Sequence, residues 1–404
     1  MENKTYYGEY TLKHWIDLIL KKNIILPDYQ RSFVWTKEKI KFFINSIKNN
    51  EFIPPVTIGN YRNGQNEKLI GKNLILDGQQ RLTSILLAYF KCFPPENTEN
   101  TEKKFADEDT ENNDETTSFK YWTFKEITKS KNEDEIKKEI ENYEAFDLKL
   151  DDEFFETHFL GFSYIVPNNN SSDKLFTKIF KNINYQGVSL TPLESRRSLY
   201  YTNPRDVNFF EGKTKDGKDV LCGLKLDENN KPAPIDFVRY LATLSQYSKN
   251  NKKENTVMYR YARYKDREEY YANFVSHMVE AEEIEDFNGV NFETTFKDWE
   301  AKYANLMQTI QEIKPKIFSD SKDTKFKSWI DMDYWLFGLL YWVIFENKKF
   351  ENANFDNLIK EIKNKIEEIK QDESYKKTPN ALWKIRERLV QSIEIYESYT
   401  NGQA

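Results

Sequence analysis

The feature that most constrains the fold is a short apolar run that leads through an Asp-Gly pair into an amphipathic segment. Leu74-Ile75-Leu76 has the length and composition of a buried strand, and Asp77-Gly78 is a typical turn signal. The apolar residues that follow have the spacing of one helix face: Leu82, Ile85, Leu86 and Tyr89. The sequence therefore predicts a strand that turns directly into a helix.

The segments before this turn predict one further helix and one further strand. Thr36 is suited to cap a helix whose apolar face follows it: Ile40, Phe43, Ile44 and Ile47. Pro54-Pro55 prevents that helix from continuing, and Val56-Thr57-Ile58 has the composition of a short strand. A later apolar segment, residues 162–166, predicts another strand.

Composition limits the class of protein. Of the 404 residues, 39% are hydrophobic and 31% are charged, which fits a soluble chain with a sizeable core. No apolar run approaches the roughly 20 residues that a membrane span needs, and no signal peptide is visible. The two cysteines, Cys92 and Cys222, exclude a disulfide framework and a cysteine zinc site. We therefore expect a cytoplasmic protein with no membrane contact.

Charge is unevenly distributed along the chain. The net charge of −6 argues against attraction of the whole surface to DNA, but residues 96–115 contain nine acidic and only two basic residues. We expect residues 94–118 to form a flexible acidic insertion. An acidic segment that docks a partner or mimics DNA is the alternative, and a local basic groove elsewhere is compatible with the net charge.

The second half of the chain predicts a helical domain. Helical patterns recur in this order: 235–249, 259–284, 294–316, 329–346, 355–371 and 380–399. Residues 332–345 are apolar on nearly every side, which predicts the central helix of a bundle. We place the boundary between an N-terminal domain of residues 1–204 and a helical domain of residues 205–404.

The predicted turn carries the residue types of an anion site. A helix N-terminus offers unpaired backbone N–H groups, and Gly78 lets a ligand approach the backbone closely. Arg81 is suited to grip a phosphate, whereas Gln79 and Gln80 are suited to orient a water or contact a base or ribose. Asp77 is a candidate Mg²⁺ ligand or base, although Asp is also an ordinary N-cap. A capped turn with an exposed arginine is the alternative.

A second polar and aromatic cluster lies upstream. Tyr29, Gln30 and Arg31 follow Pro27, and Trp35 comes shortly after them. An aromatic ring, an amide, a guanidinium and an indole in one loop suit stacking on a base and gripping a phosphate. A well-packed aromatic loop is the alternative.

Together these segments resemble the GmrSD-type DGQQR family, whose N-terminal domain is related to ParB and sulfiredoxin. The first elements of the family pattern occur here as Pro27, Tyr29-Gln30-Arg31, Trp35, Ile53-Pro54-Pro55 and Asp77-Gly78-Gln79-Gln80-Arg81-Leu82. A third element matches at Phe180, Ile183, Asn184, Gly187, Leu190, Thr191 and Glu194. The resemblance covers residues 24–197.

The resemblance implies an α+β fold, with a small mixed-sheet ParB/sulfiredoxin-like domain that binds and often hydrolyses an NTP, GTP or another, with Mg²⁺. It also implies a role in phage defence or modification-dependent restriction, with modified or phage DNA as a partner. The residues implied in NTP binding and hydrolysis are Asp77 (also the Mg²⁺ ligand), Gln79, Gln80 and Arg81. Those implied in contacting the nucleotide or sensing DNA are Tyr29, Gln30, Arg31, Trp35, Gly78 and Asn184.

The chain departs from the family where many relatives carry an HNH nuclease domain. HNH chemistry needs a histidine to activate water, and of the three histidines only His277 lies in the second half of the chain, on a predicted helix. We therefore predict a recognition, coupling or oligomerisation domain there, and a separately encoded nuclease subunit as a partner. A non-enzymatic ParB-like DNA-binding adaptor and an endonuclease with an unrecognised C-terminal site are the alternatives.

Basic residues outside the turn are candidate DNA contacts. Residues 259–264 interleave tyrosines with Arg260 and Arg263, which suits a nucleic-acid backbone, and a solvated helix face is the alternative. Arg196 and Arg197 form a second basic pair. A third basic group occurs near the C-terminus: Lys384, Arg386 and Arg388.

Overall fold

The computed structural model describes residues 4–26, 33, 35–62, 70–94, 136, 138, 140–141, 143–167, 175–176, 179, 192–228, 231–263, 266–318, 325–350 and 354–400. These residues form two compact units, and the sequence passes from one to the other between Asn203 and Pro204.

The N-terminal unit contains both strands and helices. Its strands are β1 (Lys4–Thr11), β2 (Ile24–Ile25), β3 (Val56–Tyr61), β4 (Lys72–Asp77), β5 (Cys92–Phe93), β6 (Glu144–Ala145) and β7 (Phe159–Val166). Its helices are α1 (Leu12–Leu20), α2 (Lys37–Lys48), α3 (Gln79–Tyr89), α4 (Asp152–Thr157) and α5 (Pro192–Tyr200).

Five of these strands form one mixed sheet in the order β1-β7-β3-β4-β2. The β1–β7 and β3–β4 pairs are antiparallel, whereas the β3–β7 and β2–β4 pairs are parallel. The short strands β5 and β6 form a separate antiparallel pair. This arrangement confirms the predicted α+β class with a mixed sheet, and the predicted strands at 56–58, 74–76 and 162–166 all lie in the sheet.

Strand β4 separates two apolar cores, because successive side chains of a strand point to opposite faces. Ile75 is buried in the larger core, which α1, α2 and α3 cover, whereas Leu74 and Leu76 are buried on the other face with Phe176. Gly59 of β3 lets this ring lie against the sheet, since a Cβ there would come 2.5 Å from Phe176 Cε1. The alternation of β4 therefore fixes the register of the strand that leads into the turn.

Helices α2 and α3 lie where their sequence patterns predict. The Thr36 side chain caps α2 by accepting a hydrogen bond from Lys39 N at 3.4 Å. The predicted apolar face of α2 is buried: Ile40, Phe43, Ile44 and Ile47. In α3 the buried residues of the predicted face are Leu82, Ile85 and Leu86. Local capping and a 3.6-residue period were thus sufficient to locate both helices.

The C-terminal unit is mainly helical. Its helices are α6 (Pro204–Phe210), α7 (Phe237–Lys249), α8 (Arg267–Met278), α9 (Trp299–Ile317), α10 (Trp329–Leu340), α11 (Phe355–Gln371), α12 (Glu373–Lys377) and α13 (Leu382–Thr400). A π-helical segment, Tyr341–Phe345, extends α10. A small sheet has the order β10-β8-β9, with strands Lys325–Phe326, Lys225–Glu228 and Lys231–Pro234.

The apolar run predicted as the central helix is buried throughout residues 332–344. Helix α13 packs along it: Gly338 N donates to Ser392 Oγ at 2.7 Å, and Tyr396 OH donates to Trp335 O at 2.9 Å. The run therefore serves as a core element of the C-terminal unit. In the part of the chain that the structure describes, no helix combines the length and apolarity needed to cross a membrane.

Gly338 is expected to be intolerant of any side chain. A Cβ at this position would clash with the Ser392 carbonyl oxygen and the Tyr396 ring. Gly338→Ala should therefore lower the free energy of unfolding by about 1–3 kcal/mol, measured by chemical denaturation. Because alanine is favoured over glycine in a helix by about 1 kcal/mol, a stabilised variant would show that α10 and α13 do not approach this closely.

Candidate functional site

The turn between β4 and α3 has a conformation that depends on glycine. Gly78 is the N-cap residue of α3 and has a φ of +97°, in the left-handed region. A Cβ at this position would lie 2.9 Å from Val56 Cγ2 and 3.2 Å from Val56 Cα. Both the positive φ and the closeness of β3 therefore favour glycine here.

The N-cap residue of α3 is a glycine and has no side chain to cap the helix. Leu82 N donates the first helical hydrogen bond to Gly78 O at 3.0 Å. Asp77, whose alternative role was that of N-cap, instead ends β4 and bonds to Arg81. Neither the N-cap residue nor Asp77 therefore caps the positive end of the helix dipole.

Arg81 links the turn to the segment that precedes β3. Its Nη2 donates to Asp77 Oδ2 at 2.6 Å, and its Nη1 donates to Pro54 O at 2.6 Å. The Arg81 side chain is mostly buried, whereas that of Asp77 is half exposed. Contact between Arg81 and a phosphate stays a prediction, in which the ligand would share the guanidinium with these two acceptors.

The two glutamines of the turn are buried. Gln79 is 4% exposed and Gln80 is 8% exposed, and Gln80 Nε2 lies 3.5 Å from Gln79 Oε1. One turn later, Ser84 Oγ donates to Gln80 O at 2.8 Å, and Thr83 is fully buried as well. Burying polar groups is costly unless they are hydrogen-bonded. The start of α3 is therefore a polar interior region and not a solvated helix face.

Asp77 is the candidate metal ligand. No group of three or more His, Cys, Asp or Glu side chains in the described part of the chain could hold a metal ion. Asp77 Oδ2 is bonded to Arg81, while Oδ1 accepts no hydrogen bond from any described residue. One carboxylate oxygen together with phosphate oxygens and waters is a common way to hold Mg²⁺. The residues present therefore fit a metal that binds together with a phosphate ligand.

Comparison with known families assigns the unit that carries this turn. Residues 12–201 match the family model described as the GmrSD restriction endonuclease, N-terminal domain. Residues 12–201 form a GmrSD-type N-terminal domain. The match includes the Asp77–Arg81 turn and the strands β2, β3, β4 and β7 of the sheet. The chain thus carries a domain of a restriction endonuclease family, as its motifs predicted.

A similar protein comes from Methanocaldococcus jannaschii. This uncharacterized protein is 26% identical over 240 residues, which cover 47% of the present chain and 41% of the relative. The chain therefore spans less than half the length of the curated relative that it matches. No solved structure matches the chain.

The second predicted cluster of the GmrSD-type domain is only partly described. Trp35 is partly buried against the larger core and lies edge-on to Phe43 of α2, with ring centroids 5.4 Å apart. The other members, and six residues of the third motif, lie outside the described residues: Tyr29, Gln30, Arg31, Phe180, Ile183, Asn184, Gly187, Leu190 and Thr191. Trp35 thus has a packing role, and its contact with a nucleotide stays a prediction.

Arg196 of the GmrSD-type domain is buried, which disfavours its predicted DNA contact. Arg196 is 1% exposed, and the residues that follow it on α5 are buried as well: Ser198, Leu199 and Tyr200. The basic pair was chosen for its charge alone, and a guanidinium that is covered in this way is not presented to a DNA backbone. Arg197 is partly buried, and its DNA contact stays a prediction.

The helix predicted over residues 259–284, outside the GmrSD-type domain, is shorter than expected. It covers only Arg267–Met278, since residues 259–263 are not helical and Glu280, with a φ of +56°, lies just past the last turn. His277 has the structural role expected of a helix histidine. Its Nε2 lies 3.1 Å from Val290 O, and its Nδ1 accepts from Ile284 N at 3.3 Å. Burial lowers the pKa of His277, which favours the neutral ring.

Arg260 and Arg263 are exposed but paired with carboxylates. Arg260 Nη2 lies 3.2 Å from Glu285 Oε2, and Arg263 Nε lies 2.7 Å from Asp266 Oδ2. The segment is therefore not the helix face that its pattern predicted, and its cations are locally balanced. Contact between these two arginines and DNA stays a prediction.

The basic group near the C-terminus belongs to the interior. Arg388 is fully buried, and its Nε donates to Asp333 Oδ2 at 2.9 Å. Arg239 donates to both oxygens of the same carboxylate, from Nη1 to Oδ1 at 2.5 Å and from Nη2 to Oδ2 at 2.8 Å. We call Asp333, Arg239 and Arg388 the buried charge cluster. Lys384 is buried too, and Arg386 donates to Val257 O, so none of the three basic residues forms an exposed DNA-binding patch.

Proposed function

We propose that the protein binds and hydrolyses a nucleoside triphosphate, GTP or another NTP, with Mg²⁺, as part of a phage-defence or modification-dependent restriction system. One observation carries the proposal. The Asp77–Arg81 turn is a helix N-terminus that begins at a left-handed glycine, so its N-cap residue brings no capping side chain, and it is flanked by an arginine and a carboxylate. Such termini favour phosphate groups, because their N–H groups and the helix dipole both attract an anion.

The terminal phosphates would lie at the first turn of α3. Gly78 has no side chain to block their approach to the backbone. Arg81 would add a positive charge beside them, and its 2.6 Å bond to Asp77 would hold the guanidinium in place before the ligand arrives. Asp77 Oδ1 would hold Mg²⁺, which when bound neutralises charge on the phosphate oxygens.

Hydrolysis needs a water held in line with the bond to the leaving diphosphate. Gln79 and Gln80 are suited to this task, because their amides are buried at the start of α3, where little bulk water competes. The water oxygen would form a bond to the terminal phosphorus. The bond from that phosphorus to the bridging oxygen would break, its electron pair would stay on the nucleoside diphosphate, and the water's proton would leave with inorganic phosphate.

Arg81→Ala is expected to lower the rate of phosphate release by about 100-fold or more, because it removes a cation next to the developing charge. The assay would measure Mg²⁺-dependent phosphate release from each NTP by the full chain. Lys21→Ala is the matched control, since Lys21 forms an exposed i,i+4 ion pair with Asp17 at 3.5 Å on α1. It should leave the rate unchanged. Wild-type protein that neither binds nor hydrolyses any NTP would contradict the proposal.

We also propose that modified or phage DNA is the macromolecular partner. A separately encoded nuclease subunit would bind this chain, which would act as a single copy or as an oligomer, and would cut that DNA. The restriction endonuclease family of residues 12–201 supports this setting. If DNA sensing and NTP turnover are coupled, modified DNA should change the rate of phosphate release, and unmodified DNA of the same sequence should not. Equal rates with both DNAs would argue against modification sensing.

A second candidate is a non-enzymatic DNA-binding adaptor. Both terminal nitrogens of Arg81 donate hydrogen bonds to acceptors of its own domain. These bonds give the arginine a structural role that needs no nucleotide, which favours the adaptor. In that case DNA binding should weaken with salt, should survive Arg81→Ala, and should occur without phosphate release. Metal-dependent DNA cleavage by the purified chain would instead favour the endonuclease alternative.

A further inference from the structure

Phe52 is an exposed aromatic residue in the segment whose Pro54 bonds to the Asp77–Arg81 turn. It is 88% exposed, and it lies two residues before Pro54. The carbonyl oxygen of Pro54 accepts a hydrogen bond from Arg81 Nη1. Two residues of extended chain span at most about 7 Å. The backbone of Phe52 is therefore close to the arginine of the turn, and its ring gains nothing from core packing.

The backbone before and after Phe52 is anchored. Glu51 N donates to Ser46 O at 2.9 Å, and Ser46 Oγ donates to Glu51 Oε2 at 2.6 Å. On the other side, Ile53 packs against the larger apolar core. Phe52 is thus displayed between two residues that the domain holds in place.

The following residues stiffen the same segment. Prolines 54 and 55 fix their own φ and restrict the residue before each of them to extended conformations. Pro54 is bonded to Arg81, and Val56, the first residue of β3, is fully buried. A ligand that contacts Phe52 would therefore have little backbone to order, which favours binding.

We infer that the Phe52 ring stacks on the base of the nucleotide whose phosphates bind at Asp77–Arg81. The inference rests on the proposed function, because that function supplies the base. Aromatic rings stack favourably on every nucleobase, since each base has a π face, and a phenylalanine has no group that reads a base edge. Phe52 thus contributes affinity without selecting among the four bases.

The test compares ligands that have and lack a base. Phe52→Ala should weaken binding of non-hydrolysable analogues of all four NTPs by about ten-fold and by similar factors. Binding of inorganic tripolyphosphate, which has the phosphates alone, should stay unchanged. Phe52→Trp should retain wild-type affinity or exceed it. The control is Phe42→Ala on α2, which truncates a phenylalanine that is 72% exposed. Phe42 is not in the segment bonded to Arg81, so the variant should bind both kinds of ligand with wild-type affinity.

The possible results separate this inference from the function on which it rests. If wild-type protein binds the NTP analogues and Phe52→Ala binds them equally well, the stacking role is wrong and the proposed function stands. If Phe52→Ala weakens binding of tripolyphosphate as much as binding of the nucleotides, Phe52 supports the conformation of the turn, and the stacking role is also wrong. If wild-type protein binds neither ligand, both the function and the inference are overturned.

Discussion

Replacement of Asp333 by alanine is expected to lower the free energy of unfolding of the C-terminal unit by about 3–5 kcal/mol. Asp333 is the carboxylate of the buried charge cluster, and it faces two guanidiniums that are themselves nearly inaccessible to water. Tyr240 OH also donates to its Oδ1 at 3.0 Å. The variant would leave both arginines buried without their anion, a loss that neighbouring apolar groups cannot replace.

The measurement is calorimetric unfolding of the full chain, in which the transition of the C-terminal unit should move to lower temperature. The control is Asp356→Ala, which removes an exposed ion pair with Lys316 at 2.7 Å and should cost no more than about 1 kcal/mol. Equal effects of the two substitutions would show that the buried charge cluster does not stabilise the fold.

The cluster also predicts a dependence on pH. Burial alone would raise the pKa of Asp333, but Arg239 and Arg388 outweigh burial and lower it. A carboxyl group whose folded pKa is lowered stabilises the fold fully above its unfolded pKa of about 3.9, and that contribution is lost as the pH falls through the folded pKa. Acid should therefore destabilise the wild type more than it destabilises Asp333→Ala.

Gly78→Ala is expected to destabilise the GmrSD-type domain by about 2–4 kcal/mol, because a left-handed backbone and a contact with β3 both oppose a side chain. The second cost arises from Val56, whose Cγ2 would lie 2.9 Å from the new Cβ. Gly71→Ala is the matched control. Gly71 has a φ of +78°, but a Cβ there would meet no atom within 4 Å, so only about 1–2 kcal/mol should be lost.

The difference between these two alanine variants measures the contacts of the new Cβ with Val56 and with Arg81 Nη2, because both variants carry the backbone cost. Gly78→Ala should also weaken NTP binding, since its Cβ would occupy space beside the helix N-terminus, whereas Gly71→Ala should not. Urea denaturation would give the stabilities and calorimetric titration the affinities. Identical stabilities of the two variants would mean that Val56 and Gly78 are farther apart than the structure has them.

Sequence predicted the elements around the turn because local residues determine them. The Thr36 cap, the apolar period of α2 and α3, and the short run that became β4 each depend on residues within a few positions of one another. Gly78 was recognised for the same reason, as the glycine of an Asp-Gly turn, and it lies at the turn between β4 and α3.

Hydrogen-bond and ion-pair partners that are far apart in the sequence could not be predicted from it. Arg81 binds the carbonyl of Pro54, 27 positions earlier, and Arg388 binds Asp333, 55 positions earlier. A single sequence gives no sign that such residues meet, so basic residues that serve as interior ion partners resembled DNA contacts. The burial of Arg196 was also not foreseen, because burial of a charged side chain depends on what the rest of the fold places against it.

The position of β4 between two cores limits how the chain length can change near the turn. Deletion of Asn73, with the start of the strand held in place, would move Leu74 and Leu76 to the face where Ile75 now lies. It would also rotate the carboxylate that Arg81 requires to the opposite side of the sheet. Removal of two residues would preserve the faces but would draw the turn back from β3 by about 7 Å. The number of residues in this strand is thus as strictly determined as the identity of the glycine that follows it.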